Sequence, residues 1–292
     1  MHFWRIGAPG QTWPDAEWPL IYRDFGAGEL LEATREVGGA SRGAGAHPDG
    51  LADTVTRAGA AIQGIVLVQS QPDDRDTDWL LEVASDTPLV QAIVGWVDLS
   101  SPGALDRIAY LAAHPKLRGL RPMLQGIEDT HWILDRALEP ALQAMSQHGL
   151  RFDALVQPRH LPTLMELARR WPTLPIVIDH GAKPRITAGE IEPWQAQMAE
   201  LSLFPNMHCK LSGLRTEQAA GAPAAELAPY VRCLVESFQD RLMWGSDWPV
   251  LLHARDRYAD WVLTSMRLAE QAGVVDPQSL FCGAAERFYG LG

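Results

Sequence analysis

The sequence predicts a (β/α)₈ barrel of the α/β class, and three observations carry that expectation. Short apolar, β-rich runs alternate with longer amphipathic stretches along most of the 292 residues. The runs barely alternate in polarity, which suits parallel strands buried on both faces. Polar residues recur at one end of successive runs, and a barrel carries its chemistry at the C-terminal ends of its strands. Strand, helix, strand in this order implies right-handed crossovers between parallel neighbours.

Taken in order, residues 62–70 (IQGIVLVQS) are a strand, followed by a helix over 76–86. Residues 89–99 (LVQAIVGWVDL) and 117–124 (LRGLRPML) are the next two strands, with a helix over 103–114 between them. A helix over 131–149 ends at Gly149, a favourable residue just past a helix. A strand over 151–157 and a helix over 161–171, opened by Pro162, follow. Strands over 174–178, 207–214 and 241–247 are separated by helices over 190–204 and 222–238, and the tail is helical over 255–273 and again after Pro277. That makes seven strands. The eighth belongs at the N-terminus, where only Met1-His2-Phe3-Trp4 remains of a first strand that reads as truncated. No shift in composition marks a boundary, so residues 1–292 are expected to be one barrel domain. The Gly/Ala-rich stretch around 38–60 is expected to be a loop insertion, with a short helix from Asp49 to Ala58.

Bulk composition narrows the functional classes. The formal charge is −11, from 25 basic and 36 acidic residues. Such a chain lacks the diffuse positive field that draws nucleic acid or anionic membranes, so neither is an expected partner. Cys209, Cys233 and Cys282 are scattered and form no metal-type spacing, which fits a reducing compartment. There is no signal-type leader and no apolar run long enough to span a bilayer, so a cytoplasmic location is expected. A phosphate-binding loop is excluded because the Gly-rich stretch 38–45 lacks the required Lys, and no Gly-x-Ser-x-Gly elbow marks a serine hydrolase.

The stretch RLMWGSDWPV (241–250) draws most attention. Asp247 stands at a strand end between Gly245 and Pro249, beside the ring of Trp248, and reads either as a turn cap or as a catalytic or ligand carboxylate. At the same end of other strands stand His180, with Asp179 before it and Lys183 after it, Arg121, Gln157, Lys210, Ser212 and Asp98.

Six motifs, "HFW" at 2–4, "VGWVDL" at 94–99, "LRGLRPMLQ" at 117–125, "IDHGAKP" at 178–184, "CKLSGL" at 209–214 and "WGSDWPV" at 244–250, together resemble the lactonase branch of the amidohydrolase superfamily, across nearly the whole chain. The resemblance implies a barrel that opens a cyclic ester with water. It also implies a His-x-His pair on the first strand, a His on the sixth and an Asp on the eighth. Matched to this chain, these are His2 as the second member of the pair, His180 and Asp247. One divalent ion, zinc or manganese, would use His2, His180 and Asp247, although the branch also holds members that need no metal. The chain departs from the pattern because the first His does not precede His2. An upstream Asp-x-His is therefore expected, and His2 is expected to be poorly held, leaving a weak or empty metal site.

The expected chemistry is hydrolysis of a lactone, most simply a neutral sugar-acid lactone. Asp247 serves as general base and His180 contacts the carbonyl or water. Arg121, Lys183 and Gln157 offer hydrogen bonds to the substrate, and Trp248 offers an apolar wall. The structural alternatives are an ion pair of Arg121 with Asp98 or a neighbour, a core position for Trp248, a surface position for Lys183, and a buried pair of Lys210 with Asp98 or Asp247. Competing functions are a metal-dependent decarboxylase on the same barrel and a non-catalytic binding barrel. A homo-oligomer is left open.

Overall fold

The computed structural model describes residues 1–43 and 62–291. Seven parallel strands form one curled sheet in sequence order: β1 (Ile65–Val68), β2 (Val90–Gly95), β3 (Leu117–Leu120), β4 (Arg151–Ala154), β5 (Ile176–Ile178), β6 (Met207–Leu211) and β7 (Leu242–Trp244). Each pairs in parallel with the next, for example Ala154 with Ile178 and Cys209 with Leu242. The helices between them are α2 (Asp74–Asp86), α3 (Ala104–Ala112), α4 (Glu139–Gln147), α5 (Leu161–Arg170), α6 (Trp194–Ser202) and α7 (Ala228–Phe238), after an initial α1 (Ala27–Gly43). The chain finishes with α8 (Tyr258–Gln271) and α9 (Ala284–Tyr289). α1 takes in residues 38–43 of the expected insertion; residues 44–61, including the expected helix from Asp49 to Ala58, lie outside the described residues. Among the described residues no helix is long and apolar enough to cross a membrane.

Side-chain alternation sorts the core into two layers. Ile93, Phe152, Ala154, Ile176, Ile178, Cys209 and Leu211 point outward into the main cluster beneath the helices, with Leu164 and Leu167 of α5 and Val231 and Leu234 of α7. Val94, Val177 and Met243 point inward and meet Phe288 and Tyr289 of α9, which floor the barrel. The period of two along β4 and β6 therefore also turns Asp153 and Lys210 into the interior.

The expected first strand is present only as a stub. Trp4 forms an isolated antiparallel bridge with Phe25, and among the described residues no strand precedes β1. Yet residues 1–2 join the two edges of the sheet. The Val68 amide donates to the Met1 carbonyl at 2.8 Å, and the His2 amide donates to the Trp248 carbonyl, also at 2.8 Å. Phe3 and Trp4 are fully buried beside them.

Three helices are shorter than expected at their N-terminal ends. The expected helix over 131–149 splits into 3₁₀ turns at Trp132–Leu134 and Arg136–Leu138 before α4. Asp135 is extended (φ −60°, ψ 133°) and its carboxylate accepts from the Ala137 amide, so it caps a new start. Pro140, Pro193 and Pro229 stand at or beside the first turns of α4, α6 and α7. A proline interrupts a helix interior but suits its first turn, so each marks where its helix begins.

Candidate active site

Asp247 follows β7 with φ +54°, a left-handed conformation that a non-glycine residue takes only when its surroundings impose it. The segment after β5 is more unusual: His180, Gly181, Ala182 and Lys183 have φ of +55°, +55°, +61° and +53°. Four consecutive left-handed residues form one tight turn, closed by the Lys183 amide on the His180 carbonyl at 2.9 Å. Strain of this kind concentrates where side-chain placement matters. Gly213, after β6, explains how the two loops meet. A Cβ there would lie 2.5 Å from His180 Nδ1, so only glycine lets the imidazole rest on this backbone.

The result is a convergence of three groups. His2 Nε2 lies 3.2 Å from Asp247 Oδ1, and His180 Nε2 lies 3.9 Å from the same oxygen. All three residues are buried, with exposures of 5%, 8% and 7% for His2, His180 and Asp247. His2 Nδ1 donates to the Val68 carbonyl at 2.6 Å, and His180 Nδ1 meets Ser212 Oγ at 2.8 Å, so both rings are held from behind. The expectation of a poorly held His2 is thus corrected, because its amide and its ring both bond to the barrel wall.

Burial alone would raise the Asp247 carboxyl, but its neighbours His180, His2 and Lys183 outweigh it and hold the carboxyl at about 2. Burial pushes both imidazoles down to about 4, more than Asp247 raises them. At neutral pH the site is one carboxylate between two neutral rings. A neutral His2 that donates through Nδ1 presents a bare Nε2 to the carboxylate, two electron-rich atoms face to face. A cation between them relieves that repulsion. Ligands at about 2.0–2.1 Å from a tetrahedral zinc stand about 3.3 Å apart. The His2–Asp247 gap matches this and the His180–Asp247 gap is wider. Among the described residues no group of three or more His, Cys, Asp or Glu side chains is already gathered into a cage. The donor set, with the Val68 carbonyl and the Ser212 hydroxyl orienting the two rings from behind, nevertheless fits one divalent ion.

Other expected site residues fall differently. Arg121 is 4% exposed, donates to Asp179 Oδ2 at 3.3 Å and bonds the Gln69 carbonyl, so its fork is directed into the barrel wall and not toward a substrate. This is the structural ion pair with a neighbour: the partner is Asp179, while Asp98 caps its own turn through Ser100. Lys210 bonds Asp153 and lies 2.7 Å from Asp179, so its pairing with Asp98 or Asp247 is also corrected. Trp248 is 1% exposed and packs edge-on against Phe3 and Phe25 at 6.3 and 5.3 Å, which makes it core and not a substrate wall. Gln157 is exposed on the loop after β4, where its side chain accepts from Arg159 at 3.4 Å. Lys183 lies 3.9 Å from Glu217, a residue the sequence reading did not single out. Arg121→Lys should therefore lower Tm while leaving KM nearly unchanged, because the lost fork served Asp179 and the Gln69 carbonyl; parallel melts and steady-state kinetics check this.

Comparison with known proteins gives the family. An amidohydrolase family model matches residues 1–291. An L-fucono-1,5-lactonase of Burkholderia ambifaria is 48% identical over 250 residues, covering 85% of this chain and 78% of that protein. An L-fucono-1,5-lactonase of Burkholderia multivorans is 30% identical over 99% of this chain and 94% of its own length. A crystal structure of a Burkholderia multivorans amidohydrolase with bound zinc superposes with a TM-score of 0.84 at 29% identity, over 100% of this chain and 97% of that one. The fold expectation of an α/β barrel is borne out. The chain belongs to the amidohydrolase family.

Proposed function

We propose that this protein hydrolyses a neutral sugar-acid lactone of the L-fucono-1,5-lactone class. The observation that carries the reading is the ionised Asp247 carboxylate, fixed in a left-handed turn at a barrel strand end between His2 and His180. Two relatives that cover most of the chain are L-fucono-1,5-lactonases, which supplies the substrate class.

Asp247 accepts a proton from water as the water oxygen attacks the lactone carbonyl carbon. His180, seated on Gly213 and tied to Ser212, and His2, tied to Val68, orient the water and the carbonyl oxygen. A divalent ion held by His2, His180 and Asp247 would polarise the carbonyl and acidify the water.

Charge favours a neutral ring over a dicarboxylate. Arg121, Lys183 and Arg215, which follow β3, β5 and β6, are already paired: Arg121 with Asp179, Lys183 with Glu217, and Arg215 with Asp256 at 2.7 and 3.2 Å. A doubly anionic substrate would have to displace these carboxylates.

The test is acid release from a panel of aldonolactones, run on the protein as purified and after chelation. L-Fucono-1,5-lactone should turn over fastest, and 2-pyrone-4,6-dicarboxylate poorly. Chelation should lower the rate and zinc or manganese should restore it, with metal content read in parallel by elemental analysis. Full activity in metal-free protein would assign hydrolysis to the side chains alone. Release of carbon dioxide, or no product, would replace the lactonase reading with a decarboxylase or a binding barrel.

A further inference from the structure

The opposite mouth of the barrel, at the N-terminal ends of its strands, holds a cavity of about 290 Å³. Arg151 opens β4, His208 lies in β6, Asp240 and Arg241 stand just ahead of β7, and Arg287 and Phe288 belong to α9; all six line the cavity. The period of two that turns Asp153 and Lys210 into the barrel also turns Arg151 and His208 inward, one inward position nearer the floor. The volume lies at the low end of the range for small-ligand sites, so it suits one small molecule and not a dinucleotide.

The charges of this lining are not balanced from within, although the chain as a whole carries −11. Arg107, Arg121 and Arg215 pair with carboxylates. The three arginines of the cavity instead bond backbone carbonyls and one hydroxyl. Arg151 donates to the carbonyls of Gly149 and Phe288. Arg241 donates to those of Ser202, Phe204 and Met207 at 2.6, 2.9 and 2.7 Å. Arg287 donates to the Asp240 carbonyl and to Ser279 Oγ, both at 3.0 Å. Among the described residues this leaves Arg151 Nη2, Arg241 Nε, and Arg287 Nε and Nη1 without an acceptor. His208 Nδ1 is buried and also has no partner, and its ring lies against Phe288 with centroids 4.7 Å apart. Burial and the charge of Arg241 hold this imidazole down at about 4, so it is neutral at pH 7. Asp240 supplies the one carboxylate of the lining among the described residues. Three guanidiniums against one carboxylate leave an excess of two positive charges.

We propose that this cavity binds a phosphoryl group, free or carried on a small metabolite, which joins Arg151 and Arg241 of the barrel to Arg287 of α9. A phosphoryl group carries about −1.5 to −2 at neutral pH, which matches the excess, whereas a single carboxylate offsets half of it. Its oxygens accept the forked hydrogen bonds that guanidinium groups offer. The cavity lies at the far end of the strands from Asp247, and that end of a barrel governs stability while the other carries the chemistry. The bound group therefore fastens α9 to the barrel floor, and this holds whatever reaction Asp247 serves.

The test is a thermal melt with rising inorganic phosphate, against sodium chloride of matched ionic strength, on the protein as purified and after chelation. Phosphate should raise Tm by about 5 °C at a hundredfold excess over its Kd, in both preparations, and chloride should not. Equilibrium dialysis gives the Kd directly. Arg287→Gln should weaken phosphate binding by about tenfold or more, and Arg287→Lys, which keeps the charge and loses the fork, should fall between variant and wild type. Ribose 5-phosphate separates the two sources: tighter binding than inorganic phosphate assigns an ester, and weaker binding assigns the free ion. A phosphate effect equal to that of chloride, lost on chelation, or undiminished in both Arg287 variants would overturn the site.

Discussion

Asp247→Asn is expected to lower kcat on a sugar lactone by about 10²–10⁴-fold while leaving Tm close to that of the wild-type protein. The amide keeps the size of the carboxylate but has no basic oxygen for the proton of water. The site tolerates the change structurally, because Asn adopts the left-handed conformation at φ +54° more readily than most residues. The loss should lie toward the upper end of the range, since the same oxygen faces both His2 and His180 and would be shared by any bound ion. Steady-state kinetics and a thermal melt on one preparation decide it. A folded variant with near-normal kcat would remove Asp247 from the role of base.

Lys210→Met should have the largest effect on stability. The Lys210 ammonium lies inside the barrel between Asp153 and Asp179, and Tyr289 of α9 donates to Asp153 at 2.7 Å. Both carboxylates are 1% exposed or less. Burial raises the Asp153 carboxyl against the pull of Lys210. For Asp179, burial is outweighed by Lys210 and Arg121, which hold it below the usual carboxylate range. Methionine fills the volume and leaves two buried acids with one remaining cation. Breaking a buried pair on one side costs about 3–5 kcal/mol, or about 6–15 °C in Tm for a chain of this size. Asp179 contributes its stability above its unfolded value of about 3.9, and that share fades as the pH falls through its lower folded value. The gap between variant and wild type should therefore narrow in acid. Melting curves at neutral and acidic pH test both statements, and equal Tm at neutral pH would show that the interior charges are not coupled as drawn.

The strands were legible in the sequence because parallel strands buried on both faces leave unbroken apolar runs, as in IVLV of β1 and IVI of β5. Helix starts were less so, because apolar periodicity continued through Pro140, Pro193 and Pro229, and the prolines carried the boundary. In the candidate site, His180 and Asp247 stood out in the sequence because each ends a β-run beside residues that restrict the backbone. Arg121 and Trp248 were misplaced for a common reason. A sequence gives the strand end but not whether a side chain there turns to the rim or into the wall. His2 was undervalued because its hold comes from Val68 and Trp248, both distant along the chain.

The groups assigned to chemistry are gathered on one part of the rim. His2 belongs to the N-terminal stub, and His180 and Asp247 follow β5 and β7. The loops after β2, β3 and β4 carry none of them; Asp98 and Gln157 there are exposed and bonded only to near neighbours. Such an arrangement separates reactivity from recognition. Variation in the loops after β2 to β4 can reshape which ring is admitted while the hydrolytic apparatus stays in place, so laboratory evolution toward other lactones should accumulate its substitutions on that side.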